Sequence, residues 1–341
     1  MTTVTDTKKR PLESLRISVT DRCNLRCDYC MPEESYNWLE RQDILSFEEL
    51  SRLADTFIHL GVKRIRLTGG EPLLRKDLPD LIKLLSQKPG LEDLALTTNG
   101  TLLSEFAQEL RASGLHRITL SLDTLDPHTF ETLTRRAQLK TTLEGLIAAK
   151  EAGFSAIKVN TVLIRGVNDH EIVPLLRFAQ EHDLIPRFIE YMDVGGATMW
   201  DESKVIPQEE ILKKIEREFG PVLPVRTHKA SPARAYMLDN GTTFGIIAST
   251  TAPFCGTCDR IRLTADGNLV TCLYAKNGFD IRTPLRNHQT ETQIRQTLRQ
   301  LWGTRTDSGA DDRLHMPHRG PSVPLPILQN NPHLEMHTRG G

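Results

Sequence analysis

Arg64-Ile65-Arg66-Leu67-Thr68-Gly69-Gly70-Glu71-Pro72 alternates polar and apolar side chains for five residues and then breaks into a glycine turn. A period of two marks a strand with unlike faces. Ile65 and Leu67 lie on one face, Arg66 and Thr68 on the other. Upstream, Ser46 and Glu49 stand at capping-box spacing and open a helix that runs to Leu60, with Gly61 at its end. Downstream, the pattern predicts helices at 78–85, 106–110, 172–180 and through Leu143, Ile147 and Ala148 to Gly153. Between them fall strands at 94–100, 118–123, 157–163 and 188–193. With a first strand at 15–20, strand and helix alternate six times, which calls for a parallel sheet with right-handed crossovers.

The two faces of these strands differ in kind. One carries Arg16, Ser18, Thr20, Arg66, Thr68, Thr97, Asn99, Thr119, Ser121, Asp123, Lys158 and Asn160; the other carries Ile17, Val19, Ile65, Leu67, Leu94, Leu96, Leu120, Leu122, Ile157 and Val159. The sixth strand is less clean, with Glu190 and Met192 on one side. A closed eight-stranded barrel fills its interior with branched apolar side chains. Here the interior is polar and cationic, so the expected fold class is α/β: an open partial (βα)6 TIM-type barrel around a wet, anion-accepting cavity. After a helix at 209–219 come short runs at 222–227, 235–238, 243–248, 261–264 and 268–271, a smaller β-rich C-terminal module. The expected division is a barrel over 11–220, the module over 221–305 and a tail over 306–341 ending in Gly340-Gly341.

With 43 Lys and Arg against 44 Asp and Glu, the chain has no global field suited to nucleic acid or an anionic membrane. No apolar run reaches spanning length, and residues 1–10 are too short and polar for a secretory signal, so the expected location is cytoplasmic. All six cysteines fall in two triplets, which argues for ligation in a reducing compartment rather than disulfides.

Cys23, Cys27 and Cys30 are spaced C-x3-C-x2-C on the loop leaving the first strand. Three thiolates can hold three irons of a [4Fe–4S] cube and leave the fourth iron open to a small molecule. Structural zinc takes four protein donors, and no fourth stands nearby. Cys255, Cys258 and Cys272 are spaced C-x2-C-x13-C. Zinc competes more strongly here, because C-x2-C knuckles are common zinc elements and a histidine such as His228 could complete the set. A second open cube needs no fourth residue.

The first triplet, with Tyr29 just before its last cysteine, resembles the signature of the radical S-adenosylmethionine (SAM) enzymes. Gly69-Gly70-Glu71-Pro72 resembles that family's GGEP segment. Both triplets, together with Arg16-Ile17-Ser18, Thr97-Thr98-Asn99-Gly100, Ser121-Leu122-Asp123, Lys158-Val159-Asn160, Glu190-Tyr191-Met192-Asp193 and Cys258-Asp259-Arg260-Ile261-Arg262, resemble the GTP 3′,8-cyclase (molybdenum cofactor biosynthesis protein A) family over roughly residues 11–305.

The resemblance implies two [4Fe–4S] clusters, with SAM at the first and the guanine of GTP at the second. The implied reaction is hydrogen removal from ribose C3′ by a 5′-deoxyadenosyl radical and closure on guanine C8. The product would be (8S)-3′,8-cyclo-7,8-dihydroguanosine 5′-triphosphate, the first step of molybdenum cofactor (molybdopterin) biosynthesis, a lyase activity. On the same ground Tyr29, Gly70, Ser121 and Met192 match SAM-contacting positions. Arg16, Arg66, Thr97, Lys158, Arg260 and Arg262 match GTP-contacting positions, and Gly340-Gly341 matches a tail that enters the active site. Residues 308–338 match poorly, and the Pro-rich stretch 321–332 has no counterpart. Also implied are a reductant such as flavodoxin, a downstream cyclic pyranopterin monophosphate synthase, and a homodimer. Two other readings stay open: a radical SAM peptide maturase, whose auxiliary clusters usually take more cysteines, and a non-enzymatic zinc-binding module.

Overall fold

Ser46 and Glu49 form the capping box that their spacing predicts: Ser46 Oγ accepts from Glu49 N (3.1 Å) and Glu49 Oε2 accepts from Ser46 N (2.7 Å). They start the helix Phe47–His59, whose Leu50, Leu53, Ala54 and Phe57 are buried against the sheet. This arrangement repeats through the computed structural model, which describes residues 3–331 and 334–340. Strands β1 (Ser14–Ser18), β2 (Arg64–Thr68), β3 (Asp93–Thr98), β4 (Arg117–Ser121), β5 (Lys158–Leu163) and β6 (Ile185–Glu190) pair parallel in chain order. Helices Phe47–His59, Leu78–Ser86, Leu103–Ala112, Leu139–Glu151 and Ile172–Glu181 connect them. Ile17, Leu67, Leu96, Leu120 and Phe188 turn outward under these helices and form the core. The fold is an open partial barrel.

The later strands are β7 (Val222–Val225), β8 (Arg234–Leu238), β9 (Thr243–Ile247), β10 (Arg260–Leu263), β11 (Asn268–Val270) and β12 (Phe279–Asp280). They do not make a sheet of their own. β9 pairs parallel with β6, and β10 pairs parallel with β1. Eight parallel strands therefore follow one another, β10-β1-β2-β3-β4-β5-β6-β9, with antiparallel β11–β12 and β8–β7 outside them. Among the described residues no helix is long and apolar enough to cross a membrane.

Two local readings change. Helix Pro127–Thr134, absent from the sequence reading, is opened by Asp126, whose carboxylate accepts from Thr129 N (2.7 Å), with proline at the first turn. The sixth strand ends at Glu190 rather than continuing to 193, so Met192 lies on the following loop. Glu190 shares the core side of β6 with Phe188. It is fully buried and accepts from Gln208 N, Thr250 N, Thr251 N and Thr251 Oγ1. A carboxylate so satisfied can occupy a core position, which is why the alternation misled there.

Candidate active site

The inner face of the barrel is a floor of cations. Strand register sets Arg16 beside Arg66 on one side and beside Arg262 on the other. Arg66 Nη1 donates to Thr97 Oγ1 (3.1 Å) and Thr119 Oγ1 (2.9 Å), and Thr119 is level with Lys158. Asn160, next along β5, is level with Arg187 and with Ser121. Burial, followed by mutual repulsion, pushes these groups down. Arg16 is lowered by burial and then by Arg262, Arg260 and Arg66; Arg66 by burial and then by Arg187 and Arg117; Arg262 by burial and then by Arg260. The Lys158 ammonium falls to about 7, through burial and then Arg187, Arg117 and Arg66. Asp93 is the nearby carboxylate, and Arg117 already holds it through Nε (2.6 Å). Partly desolvated positive charge without matching carboxylates is an anion site. The sequence reading missed Arg187, because it began the sixth strand at Phe188, whereas β6 starts at Ile185.

The first triplet lies at one rim. Its loop is pinned by Arg26 N to the Thr134 carbonyl (2.9 Å), Asp28 N to the Leu133 carbonyl (3.0 Å) and Arg26 Nη1 to the Cys23 carbonyl (2.8 Å). Glu71 N donates to the Arg22 carbonyl (2.7 Å), so the Gly-Gly turn packs directly on the cysteine loop. A Cβ at Gly70 would collide with that same carbonyl. The Glu71 carboxylate is buried and accepts from Thr98 Oγ1 (2.7 Å), Asn99 N (2.7 Å) and Leu73 N (3.0 Å). Burial outweighs these bonds and raises it to about 7. Tyr29 Oη donates to Asp123 Oδ2 (2.6 Å), which fixes the aromatic ring over the end of β4. Ser121 and Asn160 pair across β4 and β5, and Asn160 Oδ1 is buried without a partner.

Burial raises the Cys23 thiol to about 11 and holds Cys27 well above its ordinary value, where Asp123, Cys23 and Cys30 add to it. Among the described residues, no three His, Cys, Asp or Glu side chains converge tightly enough for a single metal ion. Three thiolates on one loop could each take a different iron of a cube, whose own charge would hold them ionised.

The second triplet stands in a cavity across the floor, which Met192, Phe254, Arg260, Arg262 and Tyr274 also line. Burial works against ionisation of Cys258, but Arg260 and Arg305 outweigh it and hold the thiol below its usual value. Arg305 donates to the Cys258 carbonyl (2.9 Å), and Arg10 Nη1 donates to the carbonyls of Cys255 (2.9 Å) and Asp307 (2.7 Å). Asp6, fully buried, pairs with both arginines (2.6 and 3.4 Å). No sequence signal marked this cluster, since Arg10 meets Cys255 across 245 residues of chain and Arg305 meets Asp6 across 299. His228, the candidate fourth zinc donor, is exposed beside Glu13 (3.9 Å) and does not line this cavity. The structure thus brings Arg16, Arg66, Thr97, Lys158, Arg260 and Arg262 onto one inner surface between the two triplets. Met192 stands at the second cavity, and Tyr29, Gly70 and Ser121 stand at the first rim.

The C-terminal segment closes over this surface. His337 packs edge-on against Tyr36 and Trp38 (5.2 and 6.0 Å), and Arg26 lies over both of those rings. Gly340 then reaches the floor: its carbonyl accepts from Arg262 Nη1 (2.5 Å) and Arg16 Nη1 (3.2 Å). Its φ of +69°, and a Cβ that would collide with Thr68 Oγ1, both require glycine. Gly341 lies outside the described residues.

Comparison with known proteins adds three findings. The Radical SAM superfamily matches residues 17–179, and the family described as Molybdenum Cofactor Synthesis C matches residues 184–310. The chain is similar to GTP 3′,8-cyclase 1 of Mycobacterium tuberculosis, at 49% identity over 99% of this chain and 95% of the relative. It is similar to the GTP 3′,8-cyclases of Acidothermus cellulolyticus (46%, covering 89% and 87%) and Staphylococcus aureus (43%, covering 91% and 93%). Among solved structures, Streptococcus suis SuiB bound to its precursor peptide SuiA superposes with a TM-score of 0.60 at 17% identity, over 91% of this chain and 68% of that one, a likeness of fold.

Proposed function

The chain belongs to the GTP 3′,8-cyclase family within the radical SAM superfamily, and on that premise we propose how its own residues divide the work. The enzyme converts GTP to (8S)-3′,8-cyclo-7,8-dihydroguanosine 5′-triphosphate, the first step of molybdenum cofactor biosynthesis, with SAM and [4Fe–4S] clusters as cofactors. When bound, the cluster at Cys23, Cys27 and Cys30 supplies the one-electron chemistry that SAM delivers to ribose C3′.

Tyr29, Gly70, Ser121 and Met192 contact SAM. Gly70 leaves room at the turn, and Asp123 keeps the Tyr29 ring in place. Arg16, Arg66 and Lys158 receive the triphosphate, and Thr97 orients Arg66 toward it. Arg260 and Arg262, beside Cys255, Cys258 and Cys272, hold the guanine end at the second cluster. The protein's contribution is orientation and exclusion of water, with C3′ set between the two triplets. Gly340 completes the wall.

The observation that carries this reading is the row of inward cations spanning the space between two thiol triplets. Residues 11–220 then carry SAM, 221–305 carry the second cluster, and 306–341 form the closing tail. We also assign a cytoplasmic homodimer, a reductant such as flavodoxin, and a downstream cyclic pyranopterin monophosphate synthase. The test is anaerobic incubation of iron- and sulfide-loaded protein with SAM, reductant and each nucleotide in turn, read by mass spectrometry. Cyclised product from GTP is the expected result; SAM cleavage with every nucleotide left intact would refute it.

A further inference from the structure

Asp193 is fully buried on the loop after β6, beside Met192. Its Oδ1 accepts from Tyr274 Oη (2.7 Å) and Arg319 Nη2 (2.9 Å). Its Oδ2 accepts from Arg319 Nε (2.9 Å) and Arg313 Nε, and its carbonyl accepts from Ser322 N (2.8 Å). These partners come from two places. Tyr274 follows Cys272 by two residues and lines the second cavity. Arg313, Arg319 and Ser322 belong to the C-terminal segment, beyond the last residue that either family match reaches. Arg319 also donates to the Thr250 carbonyl (3.0 Å) and lies over Trp200 (5.3 Å). Two residues past Asp193, a Cβ at Gly195 would strike the backbone of Met336, four residues before Gly340.

Four donors already fill the two carboxylate oxygens, so the side chain has no capacity left for substrate. Its contribution has to come through what it holds. A buried carboxylate between two guanidinium groups ties its segments firmly, because losing it leaves those charges uncompensated. We propose that Asp193 is a positioning residue for the cyclisation: it docks the C-terminal segment 311–340 onto the loop 192–196 and orients the Cys272–Tyr274 loop in the same contact. Gly340 is thereby delivered to Arg16 and Arg262. The effect on turnover rests on the GTP reading above; the docking does not.

The test uses full-length, cluster-loaded protein carrying Asp193→Asn, and separately Arg313→Gln with Arg319→Gln, which break the same contact from the tail side if the first variant fails to fold. Three quantities are read: reductive SAM cleavage without GTP, the rate at which a low-specificity protease cuts within 311–340, and cyclised product formed per SAM consumed. We expect SAM cleavage to persist, tail cutting to rise at least about tenfold, and product per SAM to fall at least about tenfold. Tail cutting unchanged in a folded variant overturns the docking. A freely cut tail with full product yield overturns the positioning role. Wild-type protein that forms no cyclised product faults the GTP reading alone, since protease cutting reads docking without nucleotide.

Discussion

Raising the pH from 7 to 9 is expected to loosen GTP, and Lys158 is the reason. Burial and the neighbouring Arg187, Arg117 and Arg66 bring its ammonium from 10.5 down to about 7. A triphosphate beside it supplies the missing negative charge and returns the group toward its ordinary value. In the window between those two values, free protein has lost the proton and the complex has regained it. Binding therefore takes up a proton, and affinity falls as pH rises. The limiting slope is about tenfold per pH unit, about 1.4 kcal/mol each. Solvent reaches part of the Lys158 side chain and screens the field, so we expect about tenfold over the two units rather than the limiting hundredfold. The terminal phosphate of the ligand ionises near pH 6 and contributes a slope of the opposite sign. Calorimetric titration of GTP into anaerobic, cluster-loaded protein, repeated in buffers of different ionisation enthalpy, reads both affinity and proton uptake. Lys158→Arg should bind with a flat profile because its guanidinium stays charged, and Lys158→Met should bind weakly with a flat profile. Wild-type affinity that is level from pH 7 to 9, or a slope that survives in Lys158→Met, would refute the assignment.

Other substitutions separate the parts of the site. Cys27→Ser should abolish reductive SAM cleavage, whereas Cys272→Ser should keep some cleavage and lose the cyclised product; full cyclisation by Cys272→Ser protein shown to lack its second cluster would contradict separate roles. Gly340→Ala forces a Cβ against Thr68 and strains a positive φ, so product formation should drop at least about tenfold with SAM cleavage retained. Product at the wild-type rate would show that the carbonyl contact with Arg262 is dispensable. Ser46→Ala removes the hydroxyl half of a capping box and should cost about 1 kcal/mol in urea unfolding, with iron content unchanged.

What the sequence disclosed is what short-range pattern controls. The period of two in β1 to β5 put Arg16, Arg66, Thr97 and Lys158 on the inner face, because one buried face per strand leaves no other register. The cysteine triplets were legible because both intervals of the first (x3 and x2) and the x2 interval of the second are set by a local turn or loop. Arg187 was lost because the sixth strand was read from Phe188 to 193, shifted past its true span of Ile185–Glu190 by Glu190, a core carboxylate whose four donors hide its charge. The placement of β9 and β10 was not legible at all: Ser14 Oγ donates to Asp259 Oδ2 across 245 residues of chain (3.1 Å), and no local periodicity records such a pairing. Asp193 stood in a recognised run of residues, yet its partners Arg313 and Arg319 lie in a segment without a family pattern.

The two late strands at the edges of the barrel bear on how the protein is made. β1 has no neighbour on its outer side until β10 exists, and β6 has none until β9 exists. Through much of synthesis, six strands stand ready with both edges of the sheet bare, and bare edges recruit other chains. Cover for the β1 edge waits for residue 263, and with it the pairing of β10 that brings Arg262 beside Arg16. Assembly of the anion floor and protection of the nascent sheet are thus one late event. The change in composition near residue 220 marks a shift in pattern, and the polypeptide cannot be cut there without uncovering both sides of the barrel at once.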